Sequence, residues 1–361
     1  MSTHYKVQFD QKKLAQFYPE LRRRVDEYFK THQISKHANW AMVAKTTLFI
    51  SLLVGSYVAV LSGYFQSAWV LISICAFIGF LVALIGMNVS HDALHGAYSS
   101  NKWVNKYLGM IFNFVGANDY VWKTKHNMVH HTYTNIHDHD DDITFPSIVR
   151  VDAHQKKKWI HRYQHYYVFL LYPLTTLSWV FMNDYQNFFR KNYGSYDNTI
   201  KPKVELVRLF GYKVLYLFMF IALPIMVLDL PWYATIIGFV VLHIFEGTTL
   251  ALVFQMAHLV EPTQFPEPSH DGQLEHNWAV HQLKTTANFS THSRIASFLC
   301  GGLNQQIEHH LFPKICHIHY RKIGPIVKQT AEEFQLPYYE CKNFFTALQS
   351  HARLMKKLGR V

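Results

Sequence analysis

The chain has 361 residues, of which 50% are hydrophobic and only 16% are charged. Soluble domains carry about 25% charged residues, whereas residues 46–90 contain no Asp, Glu, Lys or Arg. This pattern excludes an ordinary soluble protein and a disordered chain. The formal net charge is +11, and the Lys and Arg residues lie outside the apolar runs. They are not interleaved with aromatic residues as on a nucleic-acid-binding surface. We expect membrane lipid or a phosphate-bearing substrate as a partner, and no nucleic acid.

Residues 1–38 are predicted to form a cytoplasmic amphipathic segment. Apolar residues recur at helical spacing from Leu14 to Phe29, with three arginines at 22–24. Such a helix lies on a membrane surface or packs on the cytoplasmic body of the protein.

Four apolar runs are long enough to cross a membrane, since a span needs about 20 apolar residues. They lie near 44–64, 68–90, 207–228 and 232–257 and form two predicted hairpins, 39–90 and 207–258. The short turns within the hairpins carry no Lys or Arg, so the positive-inside rule places both termini, residues 91–206 and residues 259–361 in the cytoplasm. The apolar segment Tyr166–Met182 contains Pro173 and is predicted to be interfacial or re-entrant.

The predicted fold is therefore an all-α integral membrane protein with a cytoplasmic helical cap. Within the fourth run, His243 and Glu246 are ionisable groups at membrane depth, which makes them a functional candidate or a packing pair.

Histidine is unusually abundant, with 24 copies, and it is the commonest metal ligand in proteins. Several copies recur at helical spacings that place them on one helix face. They are His91 and His95; His126, His130 and His131; His309 and His310 after Gln306; and His281 after Asn277.

Eight histidines exceed the four ligands of one tetrahedral zinc, so two metal ions with about four imidazoles each are predicted. Imidazole suits Zn, Cu, Fe and Ni, and the ligand type leaves the element open. The His-Glu-x-x-His signature of zinc peptidases is absent.

The motifs His-x3-His, His-x3-His-His and Gln-x2-His-His, in this order on a four-span plan, resemble the histidine boxes of the membrane-bound fatty acid desaturases. The run 301–313 is especially similar to the front-end (Δ5/Δ6-type, linoleoyl-CoA desaturase-like) branch, in which Gln replaces the first histidine of the third box. The resemblance covers about residues 36–340.

This resemblance implies an oxidoreductase with two Fe in a non-haem di-iron centre. Such an enzyme uses O2 and two electrons to introduce a cis double bond into an acyl-CoA or acyl-lipid. The implied catalytic iron ligands are His91, His95, His126, His130, His131, His281, His309 and His310. It further implies that Asn277 approaches one iron through water and that Gln306 occupies a ligand position.

Electrons are expected from an external donor, either ferredoxin or cytochrome b5 with its reductase, because the fused cytochrome b5 motif His-Pro-Gly-Gly is absent. The expected location is a bacterial inner membrane or the endoplasmic reticulum.

Carboxylates near the boxes are predicted to orient the ligand imidazoles. The candidates are Asp92, Asp138, Asp140, Asp141, Asp142 and Glu308. The neighbouring His137, His139, His276, His317 and His319 are predicted not to be ligands. Cations near the boxes would hold the substrate head group, or they only reflect the positive-inside bias. They are Lys123, Lys125, Lys284 and Arg294, with Arg321 and Lys322.

Two alternatives remain at this stage. A hydroxylase on the same scaffold would share the oxygen chemistry, whereas a metal transporter or sensor would place its ligands near the middle of the membrane on broken helices.

Overall fold

The fold is built around four long apolar helices. The computed structural model describes residues 7–140, 142, 147–153 and 155–361. Within them, four helices are long and apolar enough to cross a membrane. They are span 1 (Trp40–Leu61), span 2 (Ala68–Leu94), span 3 (Lys203–Val227) and span 4 (Trp232–His258). Span 1 begins before residue 44 because Asn39 caps it, with its Oδ1 accepting from the Met42 N–H.

The other elements form a mainly helical cap, as predicted. The helices and helical turns are Phe17–Thr31, Lys102–Gly109, Ile111–Phe114, Asp119–Lys123, Thr124–His130, His131–Tyr133, Trp159–Tyr163, Gln164–Leu171, Tyr172–Leu174, Thr175–Ser178, Trp179–Asn183, Asp184–Phe189, Trp278–Thr285, Arg294–Leu299, Gln306–Leu311, His317–His319, Tyr320–Glu333 and Phe344–Leu358. The strands pair as Gln8–Phe9 with Gln273–Leu274 and Asn288–Phe289 with Glu340–Cys341, both parallel, and Asn192–Tyr193 with Tyr196–Asp197, antiparallel.

Spans 2 and 4 form the centre of the bundle. About 50% and 44% of their apolar stretches are buried within the protein, against 17% for spans 1 and 3. The two central helices meet at Gly79, where an added Cβ would lie 2.0 Å from the Leu242 carbonyl oxygen. Glycine therefore lets the two backbones touch, as small residues do between membrane helices.

We expect Gly79→Leu to lower the melting temperature of the protein in nanodiscs, because the new side chain would separate spans 2 and 4. Overpacking of this kind typically costs about 1–3 kcal/mol. Gly55→Leu in span 1 is the matched control, since open space surrounds that glycine. Equal melting temperatures for the two variants would contradict the contact.

Residues 164–189 form a broken helix that packs against the middle of span 4. The break is at Pro173, whose carbonyl oxygen would lie 2.7 Å from a Cβ added to Gly247. Contact with the middle of span 4 favours the re-entrant form of the two that were predicted, and we name residues 164–189 the re-entrant segment.

The His243–Glu246 pair fixes this packing. His243 Nδ1 lies 2.9 Å from Thr176 Oγ1 of the re-entrant segment and 3.3 Å from Glu246 Oε2. Its Nε2 lies 3.0 Å from the Tyr216 hydroxyl of span 3. One imidazole thus joins two spans and the re-entrant segment, which favours the packing interpretation.

The amphipathic N-terminal helix packs on the protein body. The apolar face of Phe17–Thr31 is buried against Tyr320–Glu333. Arg24 reinforces the contact through an ion pair with Glu333, 2.6 Å long. The alternative in which this face lies on a membrane surface is therefore wrong.

Candidate metal centre

Two groups of imidazoles converge where spans 2 and 4 end. In the first group, nitrogens of His91, His95, His126 and His309 lie within 4.8 Å of one another. In the second group, nitrogens of His130, His258 and His310 also lie within 4.8 Å of one another.

His131 lies between the two groups. One of its nitrogens lies within 4.8 Å of nitrogens of both His309 and His310. Its ring stacks on that of His310 with centroids 4.3 Å apart, and its Nε2 is 3.2 Å from His126 Nε2. The two groups therefore form one continuous site.

Two π-helical turns shape this site. The turn Gly86–Ser90 directly precedes His91 on span 2, and the turn Thr124–His130 carries two of the histidines. Single π-turns inside helices are frequent at functional sites. The His126 and His130 rings stack with centroids 5.0 Å apart, and each joins a different group.

The buried nitrogens of the site fit metal binding. Several imidazole nitrogens are buried and have no hydrogen-bond partner among the described residues. They are Nε2 of His95, His130, His309 and His310, Nδ1 of His131 and both nitrogens of His91. Leaving buried polar atoms unpaired is costly, and buried polar groups are normally satisfied. Convergent unpaired imidazole nitrogens are the donor set that a transition metal requires.

Carboxylate and amide groups hold several of these imidazoles from outside. Nδ1 of His126 donates to Asp142 Oδ2 at 2.8 Å, and Nδ1 of His130 donates to both Asp140 oxygens at 3.0 Å. Nδ1 of His310 donates to Gln282 Oε1 at 2.7 Å. The bond at Nδ1 leaves Nε2 of His130 and His310 without a hydrogen-bond partner among the described residues, while Nε2 of His126 lies beside His131.

The electrostatics keep most of these imidazoles neutral, which is the form that binds metal. Burial lowers the pKa of His126 to about 3 and the pKa values of His131, His309 and His310 well below their usual range. His130 differs: burial lowers its pKa, but the adjacent Asp140 and Asp142 carboxylates together outweigh this effect and raise the pKa.

The structure corrects two site predictions, those for His281 and Asn277. His281 belongs to none of the metal-competent groups among the described residues, and its Nε2 donates to the Thr134 carbonyl at 2.8 Å. Asn277 caps the helix Trp278–Thr285 by accepting from the Val280 N–H, and its amide nitrogen donates to the Lys13 and Leu14 carbonyls. The i, i+4 spacing is real, but this helix directs both side chains to backbone partners.

His258 takes the place that was predicted for His281. It is the last residue of span 4 and was missed because no second histidine stands three or four residues away. The sequence does contain a signal for this ligand, because His258 directly follows the apolar run 232–257, just as His91 directly follows the apolar run 68–90. The Gln306 amide nitrogen lies 2.9 Å from His258 Nε2, which places Gln306 beside the second group.

Two of the predicted carboxylates have partners outside the imidazole groups. Asp92 Oδ1 lies 4.0 Å from Nδ1 of His91, but its Oδ2 accepts from His317 Nδ1 at 2.8 Å, and together with Cys316 and His317 it forms a separate buried group. Glu308 accepts from Asn288 Nδ2 and from the Tyr338 hydroxyl, both at 2.8 Å, and so anchors the third box to the strand Asn288–Phe289. Asp138 is exposed beside His137, and Asp141 lies outside the described residues.

The four predicted head-group cations do not share one role. Lys125 pairs with Asp142 at 3.1 Å, and Lys284 contacts His276. Lys123 and Arg294 are exposed at the end of Asp119–Lys123 and the start of Arg294–Leu299. Head-group binding by these residues stays a prediction.

The fold and the site together define a class: a helical membrane protein with a histidine-rich metal centre at the ends of its two central spans. The profile of the family described as Fatty acid desaturase matches residues 67–342. The chain belongs to the fatty acid desaturase family, in its front-end branch, and is an oxidoreductase.

Three relatives illustrate the similarity. The chain is 36% identical over 358 residues to the sn-1 linoleoyl-lipid 6-desaturase of Arthrospira platensis, covering 99% of this chain and 96% of that protein. It is 35% identical over 364 residues to the sn-1 linoleoyl-lipid 6-desaturase of a Synechocystis strain, covering 100% and 99%. It is also 35% identical to the acyl-lipid (8-3)-desaturase of Physcomitrium patens, covering 95% of this chain and 72% of that protein.

Proposed function

We propose that this protein is a di-iron desaturase that introduces a cis double bond at carbon 6 of a linoleoyl group carried at the sn-1 position of a membrane glycerolipid. The observation that carries the proposal is the convergence of eight imidazoles in two adjoining groups. The two relatives named for that reaction match nearly the whole chain, which favours a lipid-bound substrate over an acyl-CoA.

The reaction removes one hydrogen from each of two neighbouring carbons. One O2, two electrons and two protons are consumed, and two molecules of water form with each double bond. When bound, the two irons would supply the oxidising power that an unactivated C–H bond requires.

The residues of the chain have three tasks in this reaction. The first group of four imidazoles would hold one iron, and His130, His258 and His310 would hold the other, with His131 beside both and Gln306 as a further ligand or a hydrogen-bond partner of His258. Asp140 and Asp142 fix the orientation of the imidazoles they contact. Burial of the whole site excludes water and so limits side reactions.

The proposal includes the arrangement of the protein in the membrane. We propose that both termini and the metal centre face the cytoplasm, where a separate one-electron carrier, a ferredoxin or a cytochrome b5, delivers the electrons. The acyl chain would reach the centre from the bilayer between the spans, while its ester stays at the membrane surface.

Expression in a host that contains sn-1 linoleoyl lipids but makes no 6-unsaturated acids tests the proposal. We expect gas chromatography of the lipids to show a new 18-carbon acid with a third double bond at carbon 6, concentrated at the sn-1 position. The variant His310→Ala should give none, and His270→Ala, which changes an exposed histidine, should match the wild type. A hydroxylated acid would identify a hydroxylase instead, and a new double bond elsewhere would contradict the assigned position.

Metal content gives an independent prediction. Because the site offers two adjoining groups of imidazoles, we expect about two iron atoms per chain by elemental analysis after iron-replete expression. Removal by a chelator should abolish product formation, and iron should restore it. A single zinc per chain with full activity would contradict the di-iron assignment.

A further inference from the structure

The helix Phe344–Leu358 packs against the end of span 4, where His258 lies. Within this helix His351 is fully buried, and its Nδ1 donates a hydrogen bond of 2.7 Å to the backbone carbonyl of Leu259. Leu259 directly follows His258, the member of the second imidazole group that ends span 4. The family profile matches residues 67–342, so this helix lies outside the matched region yet contacts the chain one residue away from the metal centre.

The two ring nitrogens of His351 have different and defined roles. A carbonyl can only accept, so the bond to Leu259 requires the proton on Nδ1. The unprotonated Nε2 then accepts from the Tyr172 hydroxyl of the re-entrant segment at 2.5 Å. Burial lowers the pKa of His351 to about 4, so the ring is neutral near pH 7 and keeps this arrangement. One imidazole therefore joins the end of span 4 to the re-entrant segment.

The end of span 4 depends on partners of this kind, because the last carbonyls of a helix have no acceptor role within the helix itself. The carbonyl of His258 accepts from Thr263 Oγ1 at 2.6 Å and from Asn135 Nδ2 at 3.1 Å. The next carbonyl, that of Leu259, accepts from His351. Thr263 lies in the turn that follows span 4, whereas His351 holds the helix end from a separate helix.

The backbone matters more for His258 than for its neighbours in the second group. Nδ1 of His130 and of His310 is held by side-chain oxygens at 3.0 and 2.7 Å. Nδ1 of His258 makes only a longer bond, 3.3 Å, to the backbone carbonyl of Thr285. A metal-binding side chain must be held to within about 0.5 Å of its working position. For His258, that precision must come largely from the backbone that carries it.

We propose that His351 is a positioning residue of the metal centre. Through the Leu259 carbonyl it fixes the backbone at the end of span 4, and so holds the His258 imidazole beside those of His130 and His310. Loss of this bond disturbs the second imidazole group and spares the first, because none of the four histidines of the first group belongs to span 4. The inference rests on the proposed function, which assigns a metal ion to the group that contains His258.

Three variants of the full-length protein in nanodiscs separate this role from general packing. The Asn amide nitrogen lies the same number of bonds from Cα as His Nδ1, so His351→Asn can still donate to Leu259. The Gln amide instead reaches the position of Nε2, so His351→Gln keeps a partner for Tyr172 but loses the bond to Leu259. Tyr172→Phe is the matched control, because it removes a buried hydrogen bond from the same imidazole and leaves the bond to Leu259 in place.

The measurement is Co²⁺ binding to the metal-free protein, followed by visible absorption, with melting temperatures taken on the same samples. We expect the wild type to bind about two Co²⁺ per chain. We expect His351→Gln to weaken one of the two binding steps about 10-fold, the lower end of the usual effect of residues that orient metal ligands, and to leave the other step unchanged. His351→Asn should bind both ions as the wild type does. Tyr172→Phe should melt at a lower temperature but keep both affinities.

Wild-type affinity for both ions in His351→Gln would overturn the proposal, and so would a weakened step in His351→Asn. If Tyr172→Phe weakens a step as much as His351→Gln does, or if His351→Gln does not fold, His351 supports the fold in general and the proposal also fails. A wild type that binds fewer than two Co²⁺ would contradict the two-metal centre on which the inference rests. A wild type that binds two ions but forms no double bond after iron loading would refute the proposed reaction and leave the positioning result to stand on its own.

Discussion

Replacing His258 by alanine is expected to abolish desaturation and to reduce the iron content by about half. His258 is buried at the end of span 4, and its nitrogen meets those of His130 and His310 in the second imidazole group. Without it, the second iron would keep only two nearby imidazoles and His131. Elemental analysis of the purified variant and gas chromatography of the host lipids measure the two effects.

The variant His281→Ala tests whether His258, as the structure indicates, or His281, as helical spacing predicted, is the metal ligand. The variant loses a buried hydrogen bond to the Thr134 carbonyl, which costs about 1–3 kcal/mol when a partner is left unsatisfied. We therefore expect a lower melting temperature but a full complement of iron and measurable product. If His281→Ala loses iron while His258→Ala keeps it, the ligand assignment made from the structure is wrong.

Asp140→Asn is expected to weaken iron binding by about 10–100-fold, the usual effect of changing a residue that orients a metal-bound imidazole. Asp140 is buried and accepts from Nδ1 of His130 and from the backbone N–H of Asn135. The amide has nearly the same shape but lacks the charge that favours this orientation. Titration of the iron-loaded protein with a chelator measures the change in affinity.

Asp138→Asn is the matched control for this variant. Asp138 is two residues away, its side chain is 77% exposed, and it lies beside His137 rather than beside a ligand. Iron affinity should stay at the wild-type value. Equal affinities in the two variants would mean that the Asp140 carboxylate does not support the site.

Composition and spacing were sufficient to predict the architecture, and seven of the eight histidines predicted as ligands lie in the imidazole groups. Apolar runs predict spans because length and hydrophobicity alone decide whether a helix can cross a membrane. Pairs such as His91 and His95 are recognisable because helical spacing places them on one face. Both kinds of signal are local in the sequence.

The remaining features depend on contacts between distant segments. His258 stands alone in its helix and acquires its partners only through folding, whereas His281 has the expected spacing but faces the Thr134 carbonyl. Glu308 has the right position beside His309, yet its carboxylate binds Asn288 and Tyr338. Spacing tells which side chains share a face, but it does not tell what that face contacts.

Each imidazole group combines residues from the first and second halves of the sequence, which determines when the group can form during biosynthesis. His91, His95 and His126 leave the ribosome long before His309 completes their group, and His130 likewise waits for His258 and His310. Neither group is complete until all four spans and the third box have been translated. On the proposed function, iron loading is therefore expected to follow membrane insertion, and a chain that stops before residue 309 lacks part of both imidazole groups.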